Sequence, residues 1–336
     1  RSFHVTGVQT CALPIWTPRP VAATDDPAGG AIGIAGASAA PSPSPTPTPR
    51  PTVPPPSLTP GPARSLALAP TEVFGYLPSW ELANADRIEL DRLTTLAWFG
   101  IEAGSRGSLV SEDGQGNVLD GWSGLSDDAW RSLQARAQSK GVRVVATIQR
   151  FSWTDGQARR TTRLLQNPAN RIRLVRAIMA LIDEHDLDGV NLDIEPVPAA
   201  VTDDLTALVR ELRAAMNAVD PGLQLTLAIL PSAANIDVEA VVGPDAADAL
   251  FVMAYEFLGS SADRSGSHAP LTDPDGKPGA DLRSTIGALA ARVPPDRVIL
   301  GLPWYGRVWS TMTDRIHSPT RTGARYPGSA AVFYRD

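Results

Sequence analysis

The sequence predicts an α/β fold, a (β/α)8 TIM barrel preceded by a disordered proline-rich linker. From about residue 71 onward, short runs rich in valine, isoleucine and leucine alternate with stretches of helical periodicity, as in folds built on a parallel sheet. No glycine-rich dinucleotide turn follows the first of these runs. A doubly wound open sheet is therefore the less favoured alternative.

The first 70 residues differ in composition from the rest. Residues 5–15, VTGVQTCALPI, resemble the translation of a sequencing adapter, so we expect residues 1–16 to be an artefact rather than part of the fold. Residues 17–70 are dominated by Pro, Ala, Ser, Thr and Gly. Proline fixes φ and lacks an amide donor, so this tract predicts a semi-rigid extended spacer. A generic disordered tail is the alternative.

Seven strands are predicted in the remaining 71–336 region, at 73–77, 93–101, 142–149, 189–195, 223–230, 249–255 and 298–304. Helices are predicted between them at 125–139, 167–185, 201–219 and 281–292. The first of these helices opens with Ser126, Asp127 and Asp128, which suits an N-cap and an acidic first turn. We expect a barrel that is truncated before its eighth strand, and therefore a fragment of low stability.

Composition excludes several classes of partner. The formal net charge is −6 with a pI near 5.3, which is the wrong sign for a nucleic-acid surface. The four histidines are scattered, so we predict neither a metal nor a cofactor. Cys11 is the single cysteine, and no apolar run is long enough to span a bilayer. We expect a monomer.

The most informative segment is 188–196, DGVNLDIEP. Alternation along a strand places Val190, Leu192 and Ile194 on one face and the polar residues on the other. The polar set is Asn191, Asp193 and Glu195. Three polar groups on an interior face are costly unless paired, and barrel enzymes hold their chemistry at the carboxyl ends of strands. A buried polar network without catalytic function is the alternative.

Two carboxyl groups on one strand face push their proton affinities apart, so that one is ionised and the other can donate a proton. Acid-catalysed cleavage of a glycosidic bond requires this combination. The chain also contains eight tryptophans, and flat indoles stack on sugar rings, although each tryptophan could equally be core. A glycan is therefore the predicted partner.

At these residues the chain resembles glycoside hydrolase family 18, the chitinase-like group, through the pattern DGxDxDxE. Three further motifs resemble the same family in order and spacing. They are Phe74-Gly-Tyr76 with Ser79-Trp80, Met253-Ala-Tyr255-Glu256, and the segment GLPWYGRVW at 301–309. The resemblance implies an enzyme that acts on an N-acetylglucosamine-containing polysaccharide. Because proline-rich spacers commonly hold a catalytic domain away from a membrane anchor or wall, the linker predicts a secreted or envelope-attached bacterial protein.

In that family the acetamido group of the sugar attacks the anomeric carbon. The resemblance implies that Glu195 protonates the leaving oxygen and then activates water. It further implies that Asp193 supports the acetamido group, with Asn191 beside it, and that Tyr255 donates a hydrogen bond to the acetamido carbonyl. The implied substrate-binding residues are Tyr76, Trp80, Met253, Glu256, Trp304, Tyr305 and Arg307.

Three departures from the family pattern concern the substrate more than the reaction. Asn191 replaces the first Asp of DxDxE, as in the spore-lytic and wall-active branch, and an amide cannot share a proton with Asp193. Glu256 replaces an Asp, and residues 147–150 read TIQR instead of Ser-x-Gly-Gly. The alternatives are a catalytically inactive lectin of the same fold and a wall-tethered binding module that uses the linker and aromatic residues.

Overall fold

The computed structural model describes residues 71–259, 262–273, 281–321 and 329–333. The segments 1–16 and 17–70, predicted to be artefact and linker, lie outside the described residues. The strands are β1 Phe74–Pro78, β2 Thr95–Ala103, β3 Leu109–Val110, β4 Arg143–Phe151, β5 Gly189–Glu195, β6 Gln224–Ile229, β7 Ala249–Met253, β8 Val298–Gly301, β9 Tyr305–Trp309 and β10 Ser329–Phe333. The α-helices are α1 Asp120–Ser123, α2 Asp128–Ser139, α3 Asp155–Gln166, α4 Pro168–Glu184, α5 Thr202–Val219 and α6 Leu282–Ala290.

Seven of these strands form a parallel sheet in the order β1-β2-β4-β5-β6-β7-β8. The sheet curls on itself. This is shown by the rings of Phe74 on β1 and Phe251 on β7, which lie 5.5 Å apart although their strands are five places apart in the sheet. The predicted barrel fold is thereby confirmed. Within the described ranges, no ladder joins β8 to β1.

The outer face of the curled sheet packs against the helices, and its inner face lines the barrel, so the two faces bury separate sets of side chains. Val190, Leu192 and Ile194 of β5 pack outward against the helices in the larger core. On the same outer layer, Trp98 of β2 and Trp130 of α2 bring their ring centroids within 4.6 Å of each other. Each fully buried aliphatic or aromatic side chain of this kind contributes roughly 1.5–3 kcal/mol to folding. The alternate residues of each strand are left to line the barrel interior.

A buried polar cluster around Glu72 lies at the amino-terminal end of the barrel. Glu72 accepts a hydrogen bond from Gln224 at 3.3 Å and lies 3.5 Å from the guanidinium of Arg143. Thr95 donates a further hydrogen bond to the same carboxylate. This cluster fills part of the amino-terminal end, whereas barrel enzymes bind their substrates at the carboxyl ends of the strands.

Two predicted strands end earlier than expected. The predicted strand 298–304 stops at Gly301, since Pro303 has no amide to donate to a ladder, and the chain then forms β9, which pairs antiparallel with β10. The predicted strand 249–255 stops at Met253. After it, the amides of Ala254 and Tyr255 bond to carbonyls two residues back, at 2.8 and 2.7 Å, while the Ala254 amide also donates to the Gly301 carbonyl of β8 at 3.2 Å.

The sequence prediction missed helix α3. This helix carries three arginines and few apolar residues, so its apolar stripe is weak. Its start has a capping box between Thr154 and Gln157, a signal that is readable in the sequence. The predicted N-cap of the preceding helix is confirmed, because Asp127 accepts a hydrogen bond from the Ala129 amide at 2.7 Å. None of the helices in the described residues is long and apolar enough to cross a membrane.

Candidate active site

The polar face of β5 lies in the barrel interior. Asn191, Asp193 and Glu195 are all buried, with exposed fractions of 0%, 5% and 4%. The alternation predicted from the sequence therefore places all three where core packing would favour apolar groups. Glu195 is the last residue of the strand, so its carboxyl group is the nearest of the three to the open end of the barrel.

Asn191 is held from two sides. The phenolic hydroxyl of Tyr76 donates to Asn191 Oδ1 at 3.0 Å, and Asn191 Nδ2 donates to Thr226 Oγ1 at 2.8 Å. A carbonyl that accepts and an amide that donates fix the orientation of the carboxamide. Tyr76 was predicted to line the substrate site, and in the structure its hydroxyl contacts the base of that site.

The two carboxyl groups above Asn191 differ from an ordinary surface pair. Burial raises the pKa of Asp193 to about 7. Burial also raises the pKa of Glu195 well above its ordinary value, with smaller contributions from the charges of Asp193 and Glu256. Asp193 Oδ1 and Glu195 Oε2 are buried without a hydrogen-bond partner among the described residues. The raised pKa favours the protonated form of Glu195, which can donate a proton.

Met253 and Tyr255 reach this site from the end of β7. Both are buried, with exposed fractions of 5%. Burial, and then the neighbouring Tyr305, raise the pKa of Tyr255 well above its ordinary value, so its hydroxyl remains a hydrogen-bond donor. The rings of Tyr255 and Tyr305 meet edge to face with centroids 6.2 Å apart. The structure thus brings the predicted residues of β5, β7 and β9 to one end of the barrel.

Glu256 organises the other side of the site. Its Oε1 accepts a hydrogen bond from the Tyr305 hydroxyl at 3.0 Å and another from Arg307 at 2.9 Å. Arg307 also donates to Ser329 at 3.1 Å, so it connects the site to β10. The side chains of the ion pair are only 7% and 10% exposed. Arg307, which was predicted to contact substrate, thus forms a buried ion pair with Glu256.

Glu256 has a left-handed backbone, with φ at 56°. This conformation is uncommon for residues other than glycine and carries a conformational cost. It turns the chain sharply after Tyr255, so that two consecutive side chains can both reach the site.

Exposed tryptophans surround the open end. Trp80 follows β1 and is 51% exposed, and Trp304 follows β8 and is 41% exposed. Trp153, which follows β4 and is 43% exposed, was not among the predicted site residues. Because the strands are parallel, the positions after their carboxyl ends share one rim. The three indoles therefore provide flat apolar surfaces at the entrance to the site.

Two further polar residues were not predicted. Gln149, on the interior face of β4, carries a buried Oε1 with no partner among the described residues. Its alternation with Thr147 along a strand could have indicated it. His268 brings its ring within 4.6 Å of that of Tyr305, and burial, together with Arg307, lowers its pKa to about 4. It lies in a loop, where no periodic signal could have identified it.

A sequence profile for Glycosyl hydrolases family 18 matches residues 72–333, which include every residue of the site described above. The chain belongs to this family. The four motifs on which the resemblance rested all fall inside the matched range.

Several curated proteins are similar to this family 18 chain. Probable chitinase 10 and probable chitinase 2 of Drosophila melanogaster are 28% identical over 276 residues and 29% over 219, covering 72% and 60% of the chain. A putative sporulation-specific glycosylase of Bacillus subtilis is 32% identical over 152 residues, or 44% of the chain. The chain spans 12%, 45% and 33% of the lengths of these relatives, respectively.

Solved structures share the fold. A family 18 chitinase from Cycas revoluta in complex with (GlcNAc)4 superposes with a TM-score of 0.63 at 23% identity, covering 77% of both chains. A Group IV chitinase from Ostrinia furnacalis in complex with allosamidin gives 0.62 at 21% identity, covering 76% of this chain and 74% of that one. These likenesses agree with the family 18 barrel described above.

Proposed function

We propose that this protein is a retaining glycoside hydrolase that cleaves β-linked N-acetylglucosamine-containing glycans, chitin or peptidoglycan, by substrate-assisted catalysis. The observation that carries the proposal is the buried pair on β5. Glu195 is at the open end with a raised pKa, and Asp193 lies two residues below it on the same face. Membership of family 18 and the chitinase relatives support the same reaction class.

In the first step, the carboxylic acid of Glu195 gives its proton to the glycosidic oxygen as the bond from that oxygen to the anomeric carbon breaks. The acetamido carbonyl oxygen of the same sugar attacks the anomeric carbon and forms a cyclic oxazolinium ion. The positive charge of this ion develops beside Asp193, whose ionised form stabilises it electrostatically. Tyr255, a buried hydroxyl donor, orients the acetamido carbonyl.

In the second step, Glu195 is a carboxylate and removes a proton from a water molecule. The resulting hydroxide attacks the anomeric carbon and opens the oxazolinium ring, which restores the acetamido group. Two displacements at one carbon return its original configuration. Glu195 then carries its proton again, so the cycle balances without a cofactor.

The remaining site residues have proposed roles in binding. Met253 forms an apolar floor beneath the reacting sugar, and Trp80 and Trp304 offer stacking surfaces at the rim. Glu256 holds Tyr305 and Arg307 in place along the cleft. We also propose that the region 71–336 is a catalytic domain carried on the linker 17–70. Because these polymers lie outside the cytoplasm, we propose that the enzyme is secreted or attached to the cell envelope.

Product analysis on both polymers tests this function. Purified full-length chain is incubated with chitooligosaccharides and with peptidoglycan, and new reducing ends are quantified alongside a pulldown on each polymer. Turnover on either polymer supports the enzyme and identifies its substrate. Binding without new reducing ends would instead favour a lectin of the same fold, for which the exposed rim tryptophans alone would suffice.

A further inference from the structure

Strand β4 lies beside β5 and places Gln149 next to Asp193. The two residues are register partners in the parallel ladder, as are Thr147 and Asn191 one step below. Neighbouring strands lie about 4.8 Å apart, and register partners in a parallel pair point to the same face. The carboxamide of Gln149 and the carboxylate of Asp193 therefore project side by side into the barrel.

Both groups have a buried oxygen without a hydrogen-bond donor. Gln149 Oε1 and Asp193 Oδ1 have no partner among the described residues. Buried polar atoms in folded proteins are nearly always paired, and an unpaired one calls for an explanation. A half-turn of the Gln149 carboxamide exchanges its oxygen for its NH2 group. The NH2 group could then donate a hydrogen bond to Asp193 Oδ1, so that neither residue is left with an unpaired acceptor. Heavy-atom positions alone do not distinguish the two orientations.

The carboxamide of Asn191 cannot reorient to match the protonation state of Asp193. Its carbonyl accepts from Tyr76 and its amide donates to Thr226, so turning it would break two buried hydrogen bonds. Gln149 makes no comparable bonds to the described residues, and its carboxamide remains free to turn.

We propose that Gln149 is a positioning residue for Asp193, and that its carboxamide bonds to the Asp193 carboxyl group in both protonation states. When Asp193 is ionised, Gln149 Nε2 donates to Asp193 Oδ1. When Asp193 is protonated, its hydroxyl donates to Gln149 Oε1. Between the two states, Asp193 gains or loses one proton. The Gln149 carboxamide turns so that it presents its NH2 group to the carboxylate and its oxygen to the carboxylic acid.

The charge environment of Asp193 makes such a partner useful. Ionisable groups of the site that interact with Asp193 are Glu195 on the same strand, Tyr76 on β1 and Tyr255 after β7. None of these is a cation, and burial raises the pKa of Asp193 to about 7. The carboxyl group therefore changes its protonation state near neutral pH, and a partner that is both donor and acceptor stabilises either form.

The proposed effect on turnover depends on the proposed hydrolase function, so the test includes a readout without substrate. Full-length protein labelled with 13C at aspartate carboxyl carbons is titrated by NMR, and the Asp193 signal is assigned by its loss in Asp193→Asn. The variants are Gln149→Met, which keeps length without hydrogen bonding, and Gln149→Glu, which adds a charge. Gln166→Met and Gln166→Glu, at an exposed position of α3, are the matched controls.

We expect Gln149→Met to raise the pKa of Asp193 by about half a pH unit or more. Bonds to both protonation states are lost, and the charge-assisted bond to the ionised form is the stronger of the two. Gln149→Glu should raise it further through like-charge repulsion. On substrate, Gln149→Met should lower kcat about tenfold or more with little change in KM. The Gln166 variants should match wild type in both measurements.

An Asp193 titration that is unchanged in Gln149→Met, with cooperative melting preserved, would overturn the proposal, whatever shift Gln149→Glu produces by charge repulsion. If Gln149→Met does not fold, Gln149→Leu, which also lacks hydrogen-bonding groups and adds no charge, decides the proposal by the same titration. If the wild-type chain shows no turnover while the titration shifts as expected, the hydrolase function fails and the positioning role stands.

Discussion

Tyr76 and Asn191 are joined by a 3.0 Å hydrogen bond that crosses the barrel interior from β1 to β5. The two strands are three places apart in the sheet, so curling of the sheet brings these side chains together. The bond directs the carbonyl of Asn191 toward Tyr76 and its amide toward Thr226. Asn191 is thereby a fixed neutral neighbour of Asp193 on the interior face of β5.

We predict that Asn191→Asp shifts the pH profile of kcat/KM without abolishing activity. The Tyr76 hydroxyl can still donate to the new carboxylate, and the Thr226 hydroxyl can rotate to donate as well. The added charge on the same strand face raises the pKa of Asp193 above its value of about 7, since like charges disfavour ionisation. The limb of the profile that reports ionisation of Asp193 therefore moves to higher pH.

The control for this substitution is Asn167→Asp. Asn167 caps the exposed start of α4 by accepting from the Ala169 amide, and aspartate caps a helix equally well. Its pH profile should match wild type. If the pH profile of Asn191→Asp is also unchanged, position 191 is not coupled to the ionisation of Asp193.

We predict that Glu195→Gln lowers kcat/KM by about 10³-fold or more while leaving binding intact, because the amide keeps the shape of the side chain but cannot donate a proton to the leaving oxygen. Reducing-end release and calorimetric binding of a chitooligosaccharide measure the two effects. Glu239→Gln, which breaks only an exposed ion pair with Arg292, should keep wild-type rates. Substantial turnover by Glu195→Gln would contradict its assignment as the acid.

We predict that hydrolysis retains the anomeric configuration. The structure offers one carboxyl group with a raised pKa at the open end and one supporting carboxyl group on the same strand face, a geometry suited to attack by the acetamido group. Proton NMR of the first product, recorded before mutarotation, distinguishes the two anomers. An inverted first product would exclude the oxazolinium route.

We predict that Asp193→Asn stabilises the protein at pH 8 but not at pH 4. The pKa of Asp193 is raised from 3.8 to about 7 in the fold, so the folded state binds more protons than the unfolded state between these values. Stability of the wild type therefore falls as pH rises through this window and levels off above it. Asparagine carries no such penalty.

Thermal melts at the two pH values measure this difference. At pH 8 the melting temperature of Asp193→Asn should exceed that of wild type by at least about 2 °C. Asp245→Asn, at an exposed position, should follow wild type at both values. Equal melting temperatures for Asp193→Asn and wild type at pH 8 would show that the carboxylate is not destabilising in the folded state.

We predict that Glu256→Gln moves the basic limb of the pH profile of kcat/KM to lower pH. The charge of Glu256 contributes to the raised pKa of Glu195, and its removal lets the catalytic acid ionise at lower pH. The variant also leaves the buried guanidinium of Arg307 without its acid partner, which costs about 3–5 kcal/mol in stability. Glu239→Gln again provides the control. A basic limb that stays in place would show that the charge of Glu256 does not reach Glu195.

The sequence by itself determined those features that depend on short-range pattern. Alternation along 189–195 was enough to place Asn191, Asp193 and Glu195 on one face, because a strand has a period of two. Helical stripes and caps located four of the six α-helices that the structure describes. The parallel order of strands then implied that their carboxyl ends share an edge, and hence that the residues following β1, β5, β7 and β8 meet.

Only the tertiary structure decided which side chains meet across the barrel. Tyr76 pairs with Asn191, Glu256 joins Tyr305 to Arg307, and Gln149 stands beside Asp193, although each pair is far apart in the chain or on different elements. Strand register and curling of the sheet determine these partners, and neither leaves a local periodic signal. Burial, which raises the pKa of Glu195, likewise depends on the whole curled sheet and not on any one segment.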